Sequence, residues 1–384
     1  MKGKRNILFI SSIPAKNISG GSVVFFNHLR KHKDFNILEI TNKTLETYKF
    51  IKKLRNYCKN TRLYYPLEFL ILLFIRKLLK VNYSEIRKFK PECVITVAHG
   101  DLFWVALKIA RKMKIPIITF YHDWWPIFFN QKNEYPTPFY YIHNYRFLKT
   151  YKRSSTNICV SEGMQKQLGK HKSSFILPPY TGHREHAIAA SNKLNSQFKI
   201  VYAGNISNSY GSTLQEIISA KPKDIAFEII GNPEDWDKKT IKEYKKMGLL
   251  SLPLPEETLF ARLEEATALL VLSSFDENIR LTMATNFPSK IMLYASIHKP
   301  IIIWGPTYSE GVKFIEKTNS GLIVTKNDVQ EFWSNIKSIK EDATVLTRYA
   351  NNAARLSQSV FDPDNLQRQF KEILNNTINQ HQHY

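Results

Sequence analysis

Cysteine is scarce in this sequence, with three in 384 residues at Cys58, Cys93 and Cys159 and no CxxC pair. That spacing excludes a disulfide framework and a cysteine-based zinc site, and it suits a reducing, cytoplasmic setting. Long hydrophobic runs are missing as well: the longest, Phe69 to Ile75, falls far short of the roughly 20 residues that a spanning helix needs. The opening MKGKRNILFISSIPA only faintly imitates a signal peptide, because Ser11 and Ser12 cut its apolar core short. Acidic residues are short in one half only. Residues 1–190 hold 33 basic and 11 acidic side chains and residues 191–384 hold 22 of each, so the whole excess of 55 − 33 = +22 lies in the N-terminal half. No sequence repeat, Walker phosphate loop, complete dinucleotide fingerprint, zinc finger, RNP or helix-turn-helix signature occurs, which lowers the kinase, dehydrogenase and nucleic-acid-binding readings. No pair of carboxylates is forced to flank a sugar, which argues against a glycosidase.

What is present is alternation. Short β-branched or aromatic runs alternate with longer amphipathic stretches, the pattern of parallel sheets with crossover helices. Strands are expected at Asn6–Ser12, Asn36–Thr41, Cys93–Val97, Ile115–Tyr121, Thr156–Val160 and Ser174–Leu177, and again at Phe198–Ala203, Ile225–Ile230, Leu249–Leu252, Ala268–Leu272, Pro300–Ile303 and Gly321–Val324. The chain is too long for one compact core, and its 43% apolar content is ample for two. The expected organisation is therefore a first α/β, Rossmann-like domain over 1–180 and a linker over 181–197 rich in Pro, His, Ser and Asn. A second such domain follows over 198–360, then a helix in 361–384, started by Asp362-Pro363-Asp364 and packing back on the first domain. Two doubly wound domains are expected to face each other across a cleft, with ligands at the carboxyl ends of strands.

The loops after strands carry the candidate chemistry. Gly20 and Gly21 follow the first strand and open a helix, where backbone N–H groups could approach an anion. His99, in VAHGD, and His122-Asp123-Trp124-Trp125 both follow later strands. From Tyr121 to Tyr151 there are 12 aromatic residues, and aromatic faces stack on sugar rings or sit at membrane interfaces. In the second half Gly204 and Asn205 close a strand, and Ile230-Gly231-Asn232 repeats the strand-then-glycine pattern. In Asn286-Phe287-Pro288-Ser289-Lys290, Pro288 suits a first helical position, so Lys290 falls in the first turn, where the helix dipole disfavours a cation. A bound anion would relieve that conflict, assisted by Arg280 in the preceding loop.

Taken in order, the glycine loop, ITFYHD, ICVSEGM, YAGN, IIGN, FPSKIMLYASIHKPIIIWGP and NSGLIV resemble the GT-B glycosyltransferases of retaining family four, over nearly the whole chain. The resemblance implies transfer of a sugar from a nucleotide-sugar to a glycan or lipid-linked acceptor in surface polysaccharide or glycolipid synthesis, with retention at the anomeric carbon and neither cofactor nor metal. By position it implies catalytic roles for His122 and Asp123, with His122 beside the transferred sugar. Donor contacts would come from Gly20, Gly21, Gly204, Asn205, Leu254, Arg280, Ser289 and Lys290, with Leu254 flanking the base, and acceptor contacts from His99, Trp124 and Trp125. The sequence departs from the family where Leu293 and Thr285 replace a pair of glutamates, and where Asn205 and Tyr210 replace an Arg and a Lys of the donor loop. Lys290 and Arg280 would then carry the phosphate charge. A nucleotide-sugar epimerase or a non-catalytic sugar-binding protein is the alternative on this fold.

The basic excess is concentrated in Lys49–Lys90, with 12 basic residues against Glu68 and Glu85. Phe50, Ile51, Leu54, Tyr57 and Cys58 recur at helical spacing among the lysines. A second stretch, Pro66–Lys80, presents Leu67, Leu70, Ile71, Phe74, Ile75, Leu78 and Leu79. A basic amphipathic helix followed by a very apolar one is expected to lie on an anionic membrane surface at the inner face of the cell membrane. Nucleic acid is not an expected partner.

Overall fold

The computed structural model describes residues 4–18, 20–129, 135–180 and 197–382, so all of the expected linker except Gln197 lies outside the described residues. The chain divides into two compact units, Met1–Gly182 with Pro363–Tyr384, and His183–Asp362. Unit 1 contains β1 (Arg5–Ile10), β2 (Phe35–Ile40), β3 (Cys93–Val97), β4 (Ile117–Tyr121), β5 (Thr156–Cys159) and β6 (Ser174–Ile176). They form one sheet in the order β2-β1-β3-β4-β5-β6, parallel throughout. Every residue of β3 and β4 is buried, which is why these strands read as continuous apolar runs rather than alternating ones: helices cover both faces of a parallel sheet.

Unit 2 contains β7 (Phe198–Ala203), β8 (Ile225–Ile230), β9 (Leu250–Ser251), β10 (Ala268–Leu272), β11 (Ile301–Trp304) and β12 (Gly321–Val324). The order is β12-β11-β10-β7-β8-β9, again all parallel. All twelve expected strands exist: β3, β7, β8, β10 and β12 have the expected bounds, and the others differ by one or two residues at their ends. Pro300 cannot donate to the ladder and stands before β11, which extends instead to Trp304, whose indole donates to Lys326 O at 2.7 Å. The edge strand β9 shrinks to two residues. In each sheet the strand order reverses once, between β1 and β3 and between β7 and β10. Ligands of doubly wound sheets bind outside the carboxyl ends of strands at such reversals.

The helix Pro363–Gln382 is part of unit 1. Gln367 Nε2 donates to His28 O at 3.0 Å, Thr377 Oγ1 meets Thr156 Oγ1 at 2.7 Å, and Lys371 pairs with Asp34 at 2.7 Å. Phe370 is fully buried, its ring 4.6 Å from His28 and 6.0 Å from Phe120. His28, in that apolar enclosure, has its pKa lowered to about 3 by desolvation, so it packs as a neutral ring.

Truncating a fully buried Phe costs about 3–5 kcal/mol. Phe370→Ala should accordingly speed hydrogen exchange at the β3 and β4 amides while leaving β10 and β11 unchanged. Equal protection of β3 and β4 in the variant and the parent chain would contradict this packing role.

Candidate functional site

In unit 2 the strand order reverses beside the end of β7, where the chain runs Tyr202-Ala203-Gly204-Asn205. The helix Lys290–Ser296 lies against it. Ala203 N donates to the buried Tyr294 hydroxyl at 3.0 Å, which fixes the helix to the strand end. Four residues earlier, Lys290 extends over Gly204 and places Nζ 3.6 Å from the centroid of the Tyr202 ring. Gly204 is required there twice over: its φ is +135°, and a Cβ would lie 2.3 Å from Lys290 Cε. Tyr202 is itself immobilised, its hydroxyl donating to Asn205 O at 2.5 Å.

Desolvation lowers the Lys290 pKa to about 7. Among the described residues no carboxylate pairs with this lysine, and its attractive partner is the Tyr202 ring face, a weak substitute for a counter-ion. The neighbouring loop adds no second cation. Asn205 Oδ1 accepts Ser207 N at 3.0 Å and closes the turn, while Tyr210 donates to Met283 Sδ at 4.0 Å. The ammonium stands over an aromatic floor with no carboxylate beside it among the described residues, an arrangement suited to an anion.

The reversal in unit 1 collects different chemistry. The helix Gly21–Phe26 starts after Gly20, which has a φ of +55°, and its Phe25 ring stacks on His122 at 5.2 Å and 21°. His99, at the end of β3, packs 4.0 Å from Trp125. His122 and His99 both have pKa values lowered to about 4 by desolvation, His122 additionally by His99. Both are neutral at pH 7 and serve as hydrogen-bonding rings. His99 Nδ1, Trp125 Nε1 and the Ser12 hydroxyl, after β1, are buried without a hydrogen-bond partner. Buried polar atoms are ordinarily satisfied, so this edge presents three side-chain groups that can still take a hydrogen bond.

The remaining expected site residues differ in setting. Pro288 precedes the helix instead of opening it, and Ser289 occupies the cap position, exposed and without a side-chain capping bond, so Lys290 is the first helical residue. Arg280 is exposed, pairing with Glu277 at 3.1 Å and lying 4.0 Å over the Tyr308 ring. Trp124 is buried against Phe147 at 5.1 Å and anchors its loop, whereas Trp125 is partly exposed and stacks on Phe128. Asp123 is exposed, and Leu254 is partly buried between β9 and the helix Glu256–Glu264. Sequence reasoning missed Tyr202, Tyr294, Phe25 and Ser12. Only Tyr294 left a trace, four residues after Lys290 and so on the same face of a helix. Among the described residues no group of three or more His, Cys, Asp or Glu could hold a metal ion.

Residues 42–174 match the family described as Glycosyltransferase Family 4. No curated protein matches the sequence. Among solved structures, Anabaena HepE in complex with UDP is similar with a TM-score of 0.66 at 13% identity, covering 97% of this chain and 100% of that one. Sucrose-phosphate synthase from Thermosynechococcus elongatus has a TM-score of 0.66 at 12% identity, with 97% and 99% covered. The lipopolysaccharide outer core galactosyltransferase WaaB, in its apo form, has a TM-score of 0.57 at 14% identity, with 98% and 99% covered. At these identities the likeness establishes the fold, a two-domain α/β architecture with two parallel six-stranded sheets that matches GT-B glycosyltransferase structures. The matched segment, 174 − 42 + 1 = 133 of the 384 residues, lies within unit 1.

Proposed function

We propose that this chain moves a sugar from a nucleotide-sugar to a glycan or lipid-linked acceptor, as a retaining hexosyltransferase of surface polysaccharide or glycolipid synthesis. The observation that carries the reading is Lys290, a desolvated cation without a carboxylate, fixed beside the end of β7 at the reversal of strand order. HepE, of similar architecture, was crystallised with UDP and with UDP-glucose, and a nucleoside diphosphate is the anion that fits. Cleavage of the sugar–phosphate bond leaves negative charge on the departing diphosphate, and a cation already in place stabilises that charge without reorganisation. Desolvation strengthens the interaction.

His122, neutral and stacked on Phe25, has the role of donating or accepting a hydrogen bond to the transferred sugar. A group with a pKa near 4 is a poor proton acceptor at pH 7. Thr285 is turned inward, its hydroxyl donating to Leu281 O at 2.7 Å, and Leu293 is aliphatic, so neither supplies a carboxylate to a ribose. In this reading donor affinity rests on the phosphates more than on the nucleoside.

Four outcomes follow. At pH 8, Lys290 is mostly neutral in the free protein, since its pKa is about 7. A diphosphate that needs the ammonium must therefore bind with uptake of close to one proton. Calorimetric titration in two buffers of different ionisation enthalpy measures that uptake, and affinity should weaken as pH rises above 7. Lys290→Met should remove the uptake and lower diphosphate affinity by roughly 10- to 150-fold, the contribution of a hydrogen bond to a charged group. Affinity for the free nucleoside should not change, and equal losses for nucleoside and diphosphate would reject the phosphate role. His122→Ala should reduce turnover roughly tenfold with nucleotide affinity retained. Finally, nucleoside diphosphate should be released from UDP-, GDP-, ADP- or dTDP-sugars only when an acceptor is present; release without one, or epimerised donor, would reject transfer.

A further inference from the structure

The apolar surface of unit 1 is distributed in a way that folding alone does not explain. Eight of the 17 exposed large apolar side chains among the described residues lie between Phe50 and Leu78. The helix Tyr64–Leu78 is apolar on two faces. Ile71, Leu72 and Ile75 enter the core, while Leu63, Leu70, Leu73, Phe74 and Leu78 form an outer stripe in solvent, Leu70 being 54% exposed. The preceding helix, Glu46–Cys58, repeats the division: Ile51 and Cys58 are buried, and Phe50 and Tyr57 stand 67% and 85% exposed among Lys49, Lys52 and Lys53.

This surface is held rigidly. Arg55 pairs with Glu68 at 2.7 Å between the two helices. Arg76 donates to Trp104 O at 2.9 Å and lies 3.9 Å over the Trp104 ring. Arg146 donates to Leu72 O from the helix Thr137–Arg153, whose outer side carries the exposed Tyr141 and Tyr145. The Arg55 pair absorbs one of the two acids in Lys49–Lys90 and leaves 11 basic residues against Glu85.

We propose that this face is a docking surface for an anionic lipid bilayer, with Leu70, Phe74 and Leu78 entering the boundary between headgroups and acyl chains. Lys52, Lys53 and Lys77 would meet lipid phosphates. Charge complementarity selects this occupant. A second copy would bring two basic faces together, whereas an anionic headgroup layer matches the single sign of charge and accepts a convex stripe that needs no complementary groove. The 15-residue helix is about 22 Å long, too short to cross a hydrocarbon core of about 30 Å, and no helix among the described residues is long and apolar enough to cross a membrane. It therefore lies along the surface, with the tyrosines of the Thr137–Arg153 helix at headgroup level. The proposal stands on unit 1 and is independent of the donor site.

The test is sedimentation of the full chain with vesicles of phosphatidylcholine alone or mixed with phosphatidylglycerol. The chain should pellet with the mixed vesicles, less so as salt rises, and stay in solution with phosphatidylcholine. L70Q/F74Q should weaken the partition at least roughly tenfold. K52E/K53E/K77E should weaken it about 100-fold, each basic group near an anionic surface contributing about fivefold. All five positions are exposed, so both variants should keep the parent melting temperature and nucleoside diphosphate affinity. No pelleting, equal pelleting with both vesicle types, or unchanged partition of L70Q/F74Q would overturn the proposal. A dimer that L70Q/F74Q dissociates, without vesicle binding, would overturn it in favour of contact between copies. Vesicle binding without nucleotide binding would instead reject the transferase reading alone.

Discussion

In both units every strand runs parallel and the central strands are covered on both faces, and this constraint arranges most of the rest. A parallel strand cannot return by a tight turn. Each connection must cross over through a helix, so all carboxyl ends gather on one edge of the sheet. The chemistry-bearing side chains of unit 1 come from β1, β3 and β4, and those of unit 2 from β7 and the helix packed beside it. Residues as distant in sequence as Ser12, His99 and Trp125 therefore line one edge. Burial on both faces also explains why the core strands contain so little polar residue, leaving the loops to carry function.

Lys290 is the second organising feature. A lysine at the start of a helix is ordinarily hydrated and free to move. Here Tyr294 bonds the helix to Ala203, Gly204 opens the path for the side chain, and the Tyr202 ring closes the floor. The protein thus holds a desolvated ammonium that would be more stable in water, an arrangement whose disadvantage a bound anion removes. The neutral histidines of unit 1 are the complementary case: burial keeps His99 and His122 uncharged, so that edge offers hydrogen bonds and aromatic faces rather than charge.

Part of the basic excess of the first half, 12 − 2 = +10 in Lys49–Lys90, has a structural location as well. It lies on helices whose inner faces complete the core of unit 1 and whose outer faces are apolar and lysine-rich. Stability accounts for the inner residues, Ile71 and Ile75. It does not account for Leu70 or Phe74, because an exposed apolar stripe of that length contributes nothing to a soluble fold and favours association.

The number, positions and parallel direction of the strands were legible in the sequence, because a strand buried on both faces must be apolar throughout and no tertiary information is needed to see it; their order in each sheet was not. The histidine and glycine loops were legible for the same reason, each being the first polar stretch after such a run. Lys290 was singled out by its position in a helix start. The sequence could not assign partners. Only the fold laid Arg280 over the ring of Tyr308, 28 residues further along the chain, and Trp124 resembled its neighbour Trp125 until packing buried one and left the other accessible. Nor could helical periodicity divide Leu70, Ile71, Phe74 and Ile75 into outer and inner faces, since an apolar pattern wider than one stripe does not say which side meets the core. Composition and periodicity are properties of single segments and survive in the sequence. Desolvation, charge pairing and the choice of buried face depend on what a distant segment places alongside, and only the tertiary structure decides that.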